Sequence, residues 1–488
     1  MEGCKNSVVI IGAGPAGLTA AYELVKRGEQ PLVLEQSDTV GGISRTDIYK
    51  GYRIDIGGHR FYTKSQEVQD LWLEVLGDNF LSVRRMSRIF YRGKFYDYPL
   101  NLFGTLKNLG VYESIRIVLS YLKWKTWPQF PEENFEEWVT NRFGRRLYLH
   151  FFKTYTEKVW GIPCKEIRAD WAAQRIQGMS LKRAVMNALF GGDKIKSLIK
   201  NFQYPMYGPG QMWETFQSAV ERRGGTVTLN TGVSKIGVEN GKVDSITTVK
   251  GGVEQKISTD HLISSMPITE LIKKIDPPAP DYALTAAENL KYRDFLIVCL
   301  IVDNANLFPD NWIYIHTPGV NVGRIQNFRN WSEALVPDAS KSSLGMEYFC
   351  SEGDEIWEMA DEDLIKLASK ELNSLRLGSG LKVVDGTVIR QKKAYPVYDG
   401  TYKENVDILR KYLSTIYNLQ TIGRNGMHRY NNQDHSMLTG MLAARNVCGA
   451  DYDLWDVNVE RSYYEEFVTK QPVEAGQNAT PLISPAIV

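Results

Sequence analysis

The chain has 488 residues, with 58 lysines and arginines against 57 aspartates and glutamates, so its formal net charge is +1. This balance excludes a nucleic-acid-binding protein that relies on bulk positive charge, and it excludes an acidic disordered chain. The longest apolar run, residues 295–302, is much shorter than the roughly 20 residues of a membrane span. The first residues do not resemble a secretory signal, and the five cysteines are scattered without metal-ligand spacing. We therefore expect a cytoplasmic protein of several domains, without a metal site and without nucleic-acid partners.

The first motif combines a strand, a glycine-rich turn, a helix and a second strand. The apolar run at 7–11 predicts a strand buried on both faces, and the turn at 12–17 has the pattern G-x-G-x-x-G. The helix pattern that follows closes near Gly28, and the second strand ends at Glu35. Glycines and a helix N-terminus suit a pyrophosphate, and a carboxylate after the second strand suits a ribose hydroxyl. The motif predicts a dinucleotide site formed by Gly12, Gly14, Pro15, Ala16, Gly17, Glu35 and Gln36.

A second glycine pair, Gly41-Gly42, begins six residues after Glu35. Here the chain resembles the flavoprotein group of amine oxidases, protoporphyrinogen oxidases, phytoene desaturases and UDP-galactopyranose mutases. In that group this turn brings the backbone close to the pyrophosphate and ribityl chain of FAD, whereas an NAD enzyme has no need of it. The resemblance implies FAD, with contacts from Gly41, Gly42, Ile43, Ser44 and Arg45.

Further along the chain, cofactor-type segments alternate with others. A short strand runs into Gly57, Gly58 and His59, which indicates backbone and an imidazole against a flat ligand. In the resembling group, the equivalent of Val233 presents its backbone to the adenine, and Gly423 and Arg424 return the chain to the cofactor. We predict an α/β fold, in which a Rossmann-type FAD-binding domain carries inserted helical and mixed-sheet substrate domains. The expected divisions are a discontinuous FAD-binding domain at 1–75, 205–270 and 415–450, a mainly helical domain at 76–204, a mixed-sheet domain at 271–414 and a loose tail at 470–488.

Several ordered segments narrow the resemblance to the UDP-galactopyranose mutases. Residues 151–161 are similar to the "YT.K.WG" segment of those enzymes, and similar segments follow at 174–176, 202–213, 322–325, 393–397 and 423–434. The resemblance implies that Arg175 and Arg324 hold a diphosphate, that Tyr155, Tyr395 and Tyr430 hydrogen-bond the diphosphate or ribose, and that Trp160 lies near the hexose. His59 would lie against the flavin and Arg424 would reach the flavin or its phosphates. By the same resemblance, the last segment adds the cofactor contacts Tyr430, Asn431, Asn432 and Ser436.

Two classes of flavoenzyme remain open. The mutase resemblance implies that N5 of reduced FAD attacks the anomeric carbon of a nucleotide-linked sugar, with NAD(P)H or another donor as reductant. The alternative is an oxidoreductase of the amine oxidase or protoporphyrinogen oxidase kind, which oxidises a C–N or C–C bond. His428 and Asn432 stand where the mutases have a tyrosine and an aspartate, and residues 180–200 do not resemble the bacterial uridine-binding segment. A scaffold that binds FAD without catalysis is a third hypothesis, and the sequence leaves open a homo-oligomer and peripheral membrane contact by the amphipathic residues 112–126.

Overall fold

The computed structural model describes residues 7–98, 100, 102–169, 200–378 and 380–458. Arg175, the segment at 174–176 and the predicted tail at 470–488 lie outside the described residues. The strands are, in chain order, β1 (Val8–Ile11), β2 (Leu32–Leu34), β3 (Thr46–Tyr49), β4 (Tyr52–Asp55), β5 (Phe80–Arg84), β6 (Ser87–Tyr91), β7 (Lys94–Asp97), β8 (Asn201–Pro205), β9 (Thr226–Thr228), β10 (Gly232–Glu239), β11 (Lys242–Lys250), β12 (Val253–Ser258), β13 (His261–Ser264), β14 (Ile275–Asp276), β15 (Tyr292–Val302), β16 (Trp312–Ile315), β17 (Arg324–Asn327), β18 (Ser342–Cys350), β19 (Val383–Pro396) and β20 (Leu419–Thr421).

Helices connect and cover these strands. In chain order they are α1 (Pro15–Lys26), α2 (Gln66–Leu76), α3 (Leu102–Leu109), α4 (Val111–Thr126), α5 (Phe135–Phe143), α6 (Arg145–Leu147), α7 (Lys153–Trp160), α8 (Pro209–Arg222), α9 (Ile268–Lys273), α10 (Asp281–Asn289), α11 (Glu355–Glu358), α12 (Asp361–Ser374), α13 (Tyr402–Leu413) and α14 (Gln433–Val447). A π-helical turn at Tyr148–Phe152 joins α6 to α7. No helix among the described residues is both long enough and apolar enough to cross a membrane.

The first sheet is parallel and has the strand order β20-β13-β1-β2-β9. All four residues of β1 are buried, as expected for a central strand covered on both faces. The strands come from the beginning, the middle and the end of the chain. This interleaving follows the predicted α/β fold, in which other segments are inserted between parts of one sheet.

Close backbone contacts fix the helices that cover this sheet. A Cβ atom on Gly17 would lie 1.9 Å from the carbonyl oxygen of Gly12, and one on Gly440 would lie 2.2 Å from the carbonyl oxygen of Ala16. Both distances are far below van der Waals contact. Only glycine therefore lets α1 approach β1 and lets α14 approach α1 this closely.

The other large sheet has seven strands in the order β19-β15-β18-β17-β16-β6-β7. Its interior strand β18 is buried at all nine positions, and β15 is antiparallel to β18 on one side and to β19 on the other. The helices α5 and α7 contribute Val139 and Trp160 to an apolar cluster that also contains Ile89 of β6. This cluster joins the helical part of the chain to the seven-stranded sheet.

Candidate active site

A cavity of about 1450 Å³ opens at the carboxyl ends of β1 and β2. Ligand sites in parallel α/β sheets lie at this edge of the sheet. Most of the predicted cofactor residues line the cavity: Gly12, Gly14, Pro15, Ala16, Glu35, Gln36, Gly42, Ile43, Ser44, Arg45, Val233, Gly423, Arg424, Asn431, Asn432 and Ser436.

Two glycine turns form the part of the cavity next to α1. Gly12 has φ +95°, and a Cβ atom there would lie 2.2 Å from Oγ of Ser265. A Cβ atom on Gly42 would lie 3.5 Å from Cα of Gly14, so the two turns face each other closely. The helix that starts at Pro15 has no side-chain cap and no acidic residue in its first turn. Its N–H groups and dipole therefore suit a diphosphate, and the turns leave room for one.

Glu35 lies at the end of β2 with its carboxylate already oriented. Its Oε2 accepts a hydrogen bond of 2.7 Å from the backbone N–H of Ala13, and its Oε1 accepts bonds of 3.0 and 2.8 Å from the N–H and Oγ of Ser37. Oε1 is used by its two donors, whereas Oε2 keeps a further lone pair that can accept a hydrogen bond from a hydroxyl group. The arrangement fits a ribose next to the diphosphate.

Six of the predicted cofactor residues do not line this cavity: Gly17, Gly41, Gly57, Gly58, His59 and Tyr430. Gly41 has φ +100°, and a Cβ atom there would be 3.0 Å from Cδ1 of Trp213. A Cβ atom on Gly58 would be 3.4 Å from Cη2 of Trp331. Gly41 thus makes room for Trp213 and Gly17 makes room for the turn after β1, whereas a Cβ atom on Gly58 would only be in van der Waals contact with Trp331.

His59 is a half-buried residue whose Nδ1 atom is buried and has no hydrogen-bond partner. Burial and the positive charges of Arg424 and Arg324 lower the pKa of His59 to about 3. The ring is therefore neutral at physiological pH. Nδ1 of this neutral ring can form a hydrogen bond with a ligand that reaches it.

Five of the predicted catalytic residues and Arg424 lie close together, and we call this set the aromatic–arginine cluster: Tyr155, Trp160, Arg324, Tyr395, Tyr430 and Arg424. The rings of Tyr395 and Tyr430 stack with centroids 5.8 Å apart and planes at 15°. Trp160 lies 6.4 Å from each of these rings. Cζ of Arg424 lies 4.7 Å from the Tyr430 ring centroid, and Arg424 also lines the cavity. The cluster therefore adjoins the cavity at Arg424.

Arg424 is held by backbone oxygens. Its Nε donates to the carbonyl of Asn431 at 2.9 Å and its Nη1 donates to the carbonyl of Ala394 at 3.1 Å. Asn431 is itself fixed, because its Nδ2 donates to the carbonyl of Gly423 at 3.0 Å. Among these contacts, the guanidinium pairs with no acidic side chain. It can therefore attract an anionic or electron-rich ligand from the cavity.

Arg324 is engaged by a carboxylate that sequence reasoning missed. Its Nε donates to Oε2 of Glu347 at 2.5 Å, and Glu347 is fully buried. Burial disfavours the charged guanidinium, but Glu347 and the neighbouring Tyr395 outweigh it and keep the pKa of Arg324 above its usual value. The available signal was an acidic residue inside an otherwise apolar and small strand, residues 342–350.

Burial raises the pKa of the Tyr155 and Tyr395 hydroxyls, so both stay protonated and can donate hydrogen bonds. Tyr155 also stacks on His316, with centroids 4.5 Å apart and planes at 5°. Its ring is thereby fixed in one orientation. The site thus offers neutral hydroxyl donors beside two cations.

The two positions that depart from the mutase pattern have local structural roles. Asn432 is the N-cap residue of α14 and also lines the cavity. His428 has φ +44° and is buried, and burial lowers its pKa to about 4. Its Nε2 lies 3.4 Å from the carbonyl oxygen of Val397.

Further cavity residues escaped sequence reasoning because they come from distant segments. Arg45 donates from Nη1 to Oε1 of Gln391 at 2.6 Å, which joins the second glycine turn to β19. Lys393, with φ +52°, forms an ion pair with Glu270 at the cavity wall. The only local signal was the polar run 391–393 before Tyr395. Among the described residues, no group of three or more histidine, cysteine, aspartate or glutamate side chains could hold a metal ion.

The family model described as flavin containing amine oxidoreductase matches residues 15–406. A Mycobacterium tuberculosis protein described as a flavin-containing monoamine oxidase is 26% identical over 292 residues, which are 56% of this chain and 60% of that protein. A Klebsiella pneumoniae protein described as a UDP-galactopyranose mutase is 26% identical over 173 residues, which are 34% of this chain and 44% of that protein. The chain thus spans about 60% of the length of the first of these relatives and less of the second.

Among solved structures, the crystal structure of reduced UDP-galactopyranose mutase has a TM-score of 0.82 and 22% identity, and the match covers 94% of this chain and all of that chain. This likeness shows the fold. The family match over most of the chain confirms the predicted flavoprotein superfamily and enzyme class. The chain belongs to the flavin-containing amine oxidoreductase family and is a flavin-dependent enzyme.

Proposed function

We propose that the protein is an FAD-dependent nucleotide-sugar mutase that interconverts pyranose and furanose rings with reduced flavin. The observation that carries the proposal is the aromatic–arginine cluster, which adjoins the cavity at Arg424. Supporting it are the fold shared with reduced UDP-galactopyranose mutase and the sequence similarity to the Klebsiella protein. NAD(P)H or another donor would supply the electrons that keep the flavin reduced.

We assign FAD binding to the residues that line the cavity. The Gly12–Gly14 turn and the start of α1 would hold the diphosphate, Glu35 the ribose and Val233 the adenine. This corresponds to a discontinuous FAD-binding domain at 1–75, 205–270 and 415–450, with substrate domains at 76–204 and 271–414. When bound and reduced, the flavin supplies a nucleophilic N5 for the anomeric carbon.

The chain's own side chains would bind and orient the substrate. Tyr155, Tyr395 and Tyr430 provide hydroxyl donors for a nucleoside diphosphate, and Trp160 provides an apolar face for the hexose ring. Arg324 would contribute its remaining N–H groups, because Glu347 neutralises much of its charge. Arg424 would then be the main cation that attracts the phosphates or the flavin. A small-molecule substrate and a cytoplasmic location complete the proposal.

An oxidoreductase is the second candidate, and a specific observation favours it. Glu347 neutralises Arg324, and aromatic rings of Trp160, Tyr395 and Tyr430 dominate the cluster. A neutral aromatic environment suits an amine or a saturated ring better than a diphosphate. In this reading, the substrate would be oxidised at a C–N or C–C bond.

One experiment separates the two candidates. The purified holoenzyme is reduced with dithionite under argon and incubated with UDP-, GDP- and dTDP-linked hexoses, and the products are separated by anion-exchange chromatography. A new sugar isomer that forms only with reduced flavin, without consumption of reductant, supports the mutase. Bleaching of the oxidised flavin by an amine, with no reaction of any nucleotide sugar, contradicts it.

A matched pair of variants tests the cluster in the same assay. Tyr395→Phe removes a buried hydroxyl and keeps the ring, and we expect a loss in rate of about tenfold, the usual effect of one hydrogen bond to a charged group. Tyr417→Phe makes the same change on an exposed side chain outside the cluster and should leave the rate unchanged. Equal rates in both variants would remove Tyr395 from the proposed site.

A further inference from the structure

The helix α4 turns an apolar face to solvent. The side chains of Val111, Ile115, Val118, Leu119 and Leu122 recur at spacings of three and four residues and therefore share one face. They are between 43% and 79% exposed. A helix at the surface of a globular protein normally turns such a stripe toward the core. In α4 the apolar stripe points to solvent instead. Its residues also form a continuous patch, whereas exposed apolar residues on protein surfaces are usually isolated.

Polar contacts hold the opposite face of α4 against the protein. Glu113 binds Arg146 and also accepts from Nε2 of His150 at 2.8 Å. Oγ of Ser120 accepts a bond of 3.1 Å from the backbone N–H of Arg146. A Cβ atom on Gly144 would lie 2.8 Å from the backbone N of Tyr121, so the helix packs tightly there. These contacts fix the rotation of α4 and keep its apolar face outward.

Cations border the exposed face on both sides. Arg116 and Lys123 lie on the edge next to Leu119, and Lys125 lies on the edge next to Val118. Glu113 supplies the acidic group of this helix; it binds Arg146 and also lies 4.0 Å from Nη1 of Arg116, so Lys123 and Lys125 are the bordering cations that lie away from it. The exposed aromatic residues Trp127 and Phe130 follow directly after the helix. Apolar residues between lysines and arginines, with aromatic residues at one end, are the pattern of a helix that lies in a membrane interface.

We propose that α4 docks the protein on the surface of a membrane that contains anionic lipids. The apolar stripe would enter the boundary between headgroups and acyl chains, while the bordering cations contact the phosphates. Charge favours this partner over a second copy of the chain. Two copies packed face to face would bring like charges together along both edges, whereas anionic headgroups complement them. The nearly neutral net charge of +1 means that this local arrangement, not bulk charge, would direct binding.

Vesicle flotation with the full-length holoenzyme tests the proposal. The protein is mixed with vesicles of phosphatidylcholine alone or with 30% phosphatidylserine added, and the bound fraction is measured after a density gradient. We expect strong binding to the mixed vesicles, weak binding to phosphatidylcholine, and a decrease as salt increases. The double variant Ile115→Gln/Leu119→Gln should reduce the bound fraction at least fivefold, and Arg116→Gln/Lys123→Gln should remove the preference for phosphatidylserine.

A control on another helix keeps the test specific. Leu73→Gln replaces an exposed leucine on α2 with the same polar residue and should bind vesicles like the unmodified protein. Flavin absorbance and far-UV circular dichroism verify that each variant is folded. The proposal is overturned if the unmodified protein stays unbound with both vesicle types, or if Ile115→Gln/Leu119→Gln instead dissolves a dimer detected by light scattering.

Discussion

The carboxylate of Glu347 lies 2.5 Å from Nε of Arg324, and the carboxylate is fully buried. The pair comes from neighbouring antiparallel strands, where Arg324 of β17 is directly opposite Glu347 of β18. It sets both the charge and the orientation of the guanidinium at the candidate site. In either proposed function, a substrate that reaches Arg324 would meet a guanidinium that already has an anionic partner.

Replacing Glu347 tests what this pair does. In Glu347→Gln the guanidinium loses its counter-charge, and we expect the free energy of unfolding to fall by about 3 kcal/mol, as when one partner of a buried pair is removed. The affinity for UDP should rise, because Arg324 regains its full attraction for phosphate. Urea denaturation and calorimetric titration measure the two effects. An unchanged UDP affinity would show that Arg324 does not contact the diphosphate.

Glu35→Gln should weaken flavin binding. The change removes the negative charge that accepts from Ala13 and Ser37, and hydrogen bonds to charged groups contribute about 1.5–3 kcal/mol each. We expect the dissociation constant for FAD to rise tenfold or more, measured by flavin fluorescence during titration of the apoprotein. Glu362→Gln, on the exposed start of α12, is the matched control. A normal FAD affinity in Glu35→Gln would mean that the carboxylate only orders the turn.

Gly440→Ala should loosen the packing of α14 on α1. The added methyl group would lie 2.2 Å from the carbonyl oxygen of Ala16, and overpacking of this kind costs about 1–3 kcal/mol. Thermal unfolding followed by circular dichroism measures the loss. Gly400→Ala adds a methyl group where no atom lies within 4 Å, so its melting temperature should stay unchanged. Similar melting temperatures for the two variants would disprove the close helix contact.

The stability of the protein should depend on pH through Asp55. Burial raises the pKa of Asp55 to about 7, despite hydrogen bonds from Tyr204 and Thr46 that favour the carboxylate. The folded protein therefore binds a proton that the unfolded chain releases near pH 4, so the stabilisation is complete below pH 4 and is lost as the pH rises through 7. We compare the urea midpoint of the unmodified protein with that of Asp55→Asn at each pH. The midpoint of the unmodified protein should decrease, relative to that of the variant, between pH 5 and pH 8. A difference that does not vary with pH would contradict this.

Cavity residues could be predicted from the sequence where the geometry of a short segment requires a particular residue type. Gly12, Gly14 and Glu35 belong to one strand–turn–helix–strand unit, and their spacing alone predicts the cavity they line. Other contacts form between strands and helices that meet only in the folded chain, and no local sequence pattern predicts them. The residues concerned are Glu347, Gln391 and Glu270. The cofactor contacts of Gly41 and Gly58 stay predictions, and in the structure these glycines lie next to the tryptophans Trp213 and Trp331.

The aromatic–arginine cluster was predicted only in part. Its members were found through ordered segments that resemble one family, and the structure brings Tyr155, Trp160, Arg324, Tyr395 and Tyr430 together. Their roles toward a substrate stay predictions. Arg175, the second arginine of the predicted clamp, lies outside the described residues.

The parallel sheet has a consequence for biosynthesis. Its edge strand β20 pairs with β13, and the cavity wall is completed only by residues as late as Ser436. A nascent chain on the ribosome therefore carries the glycine turns and Glu35 long before the far wall of their pocket exists. The proposed cofactor would therefore find a complete cavity only after the strand β20 and the helix α14 have been synthesised.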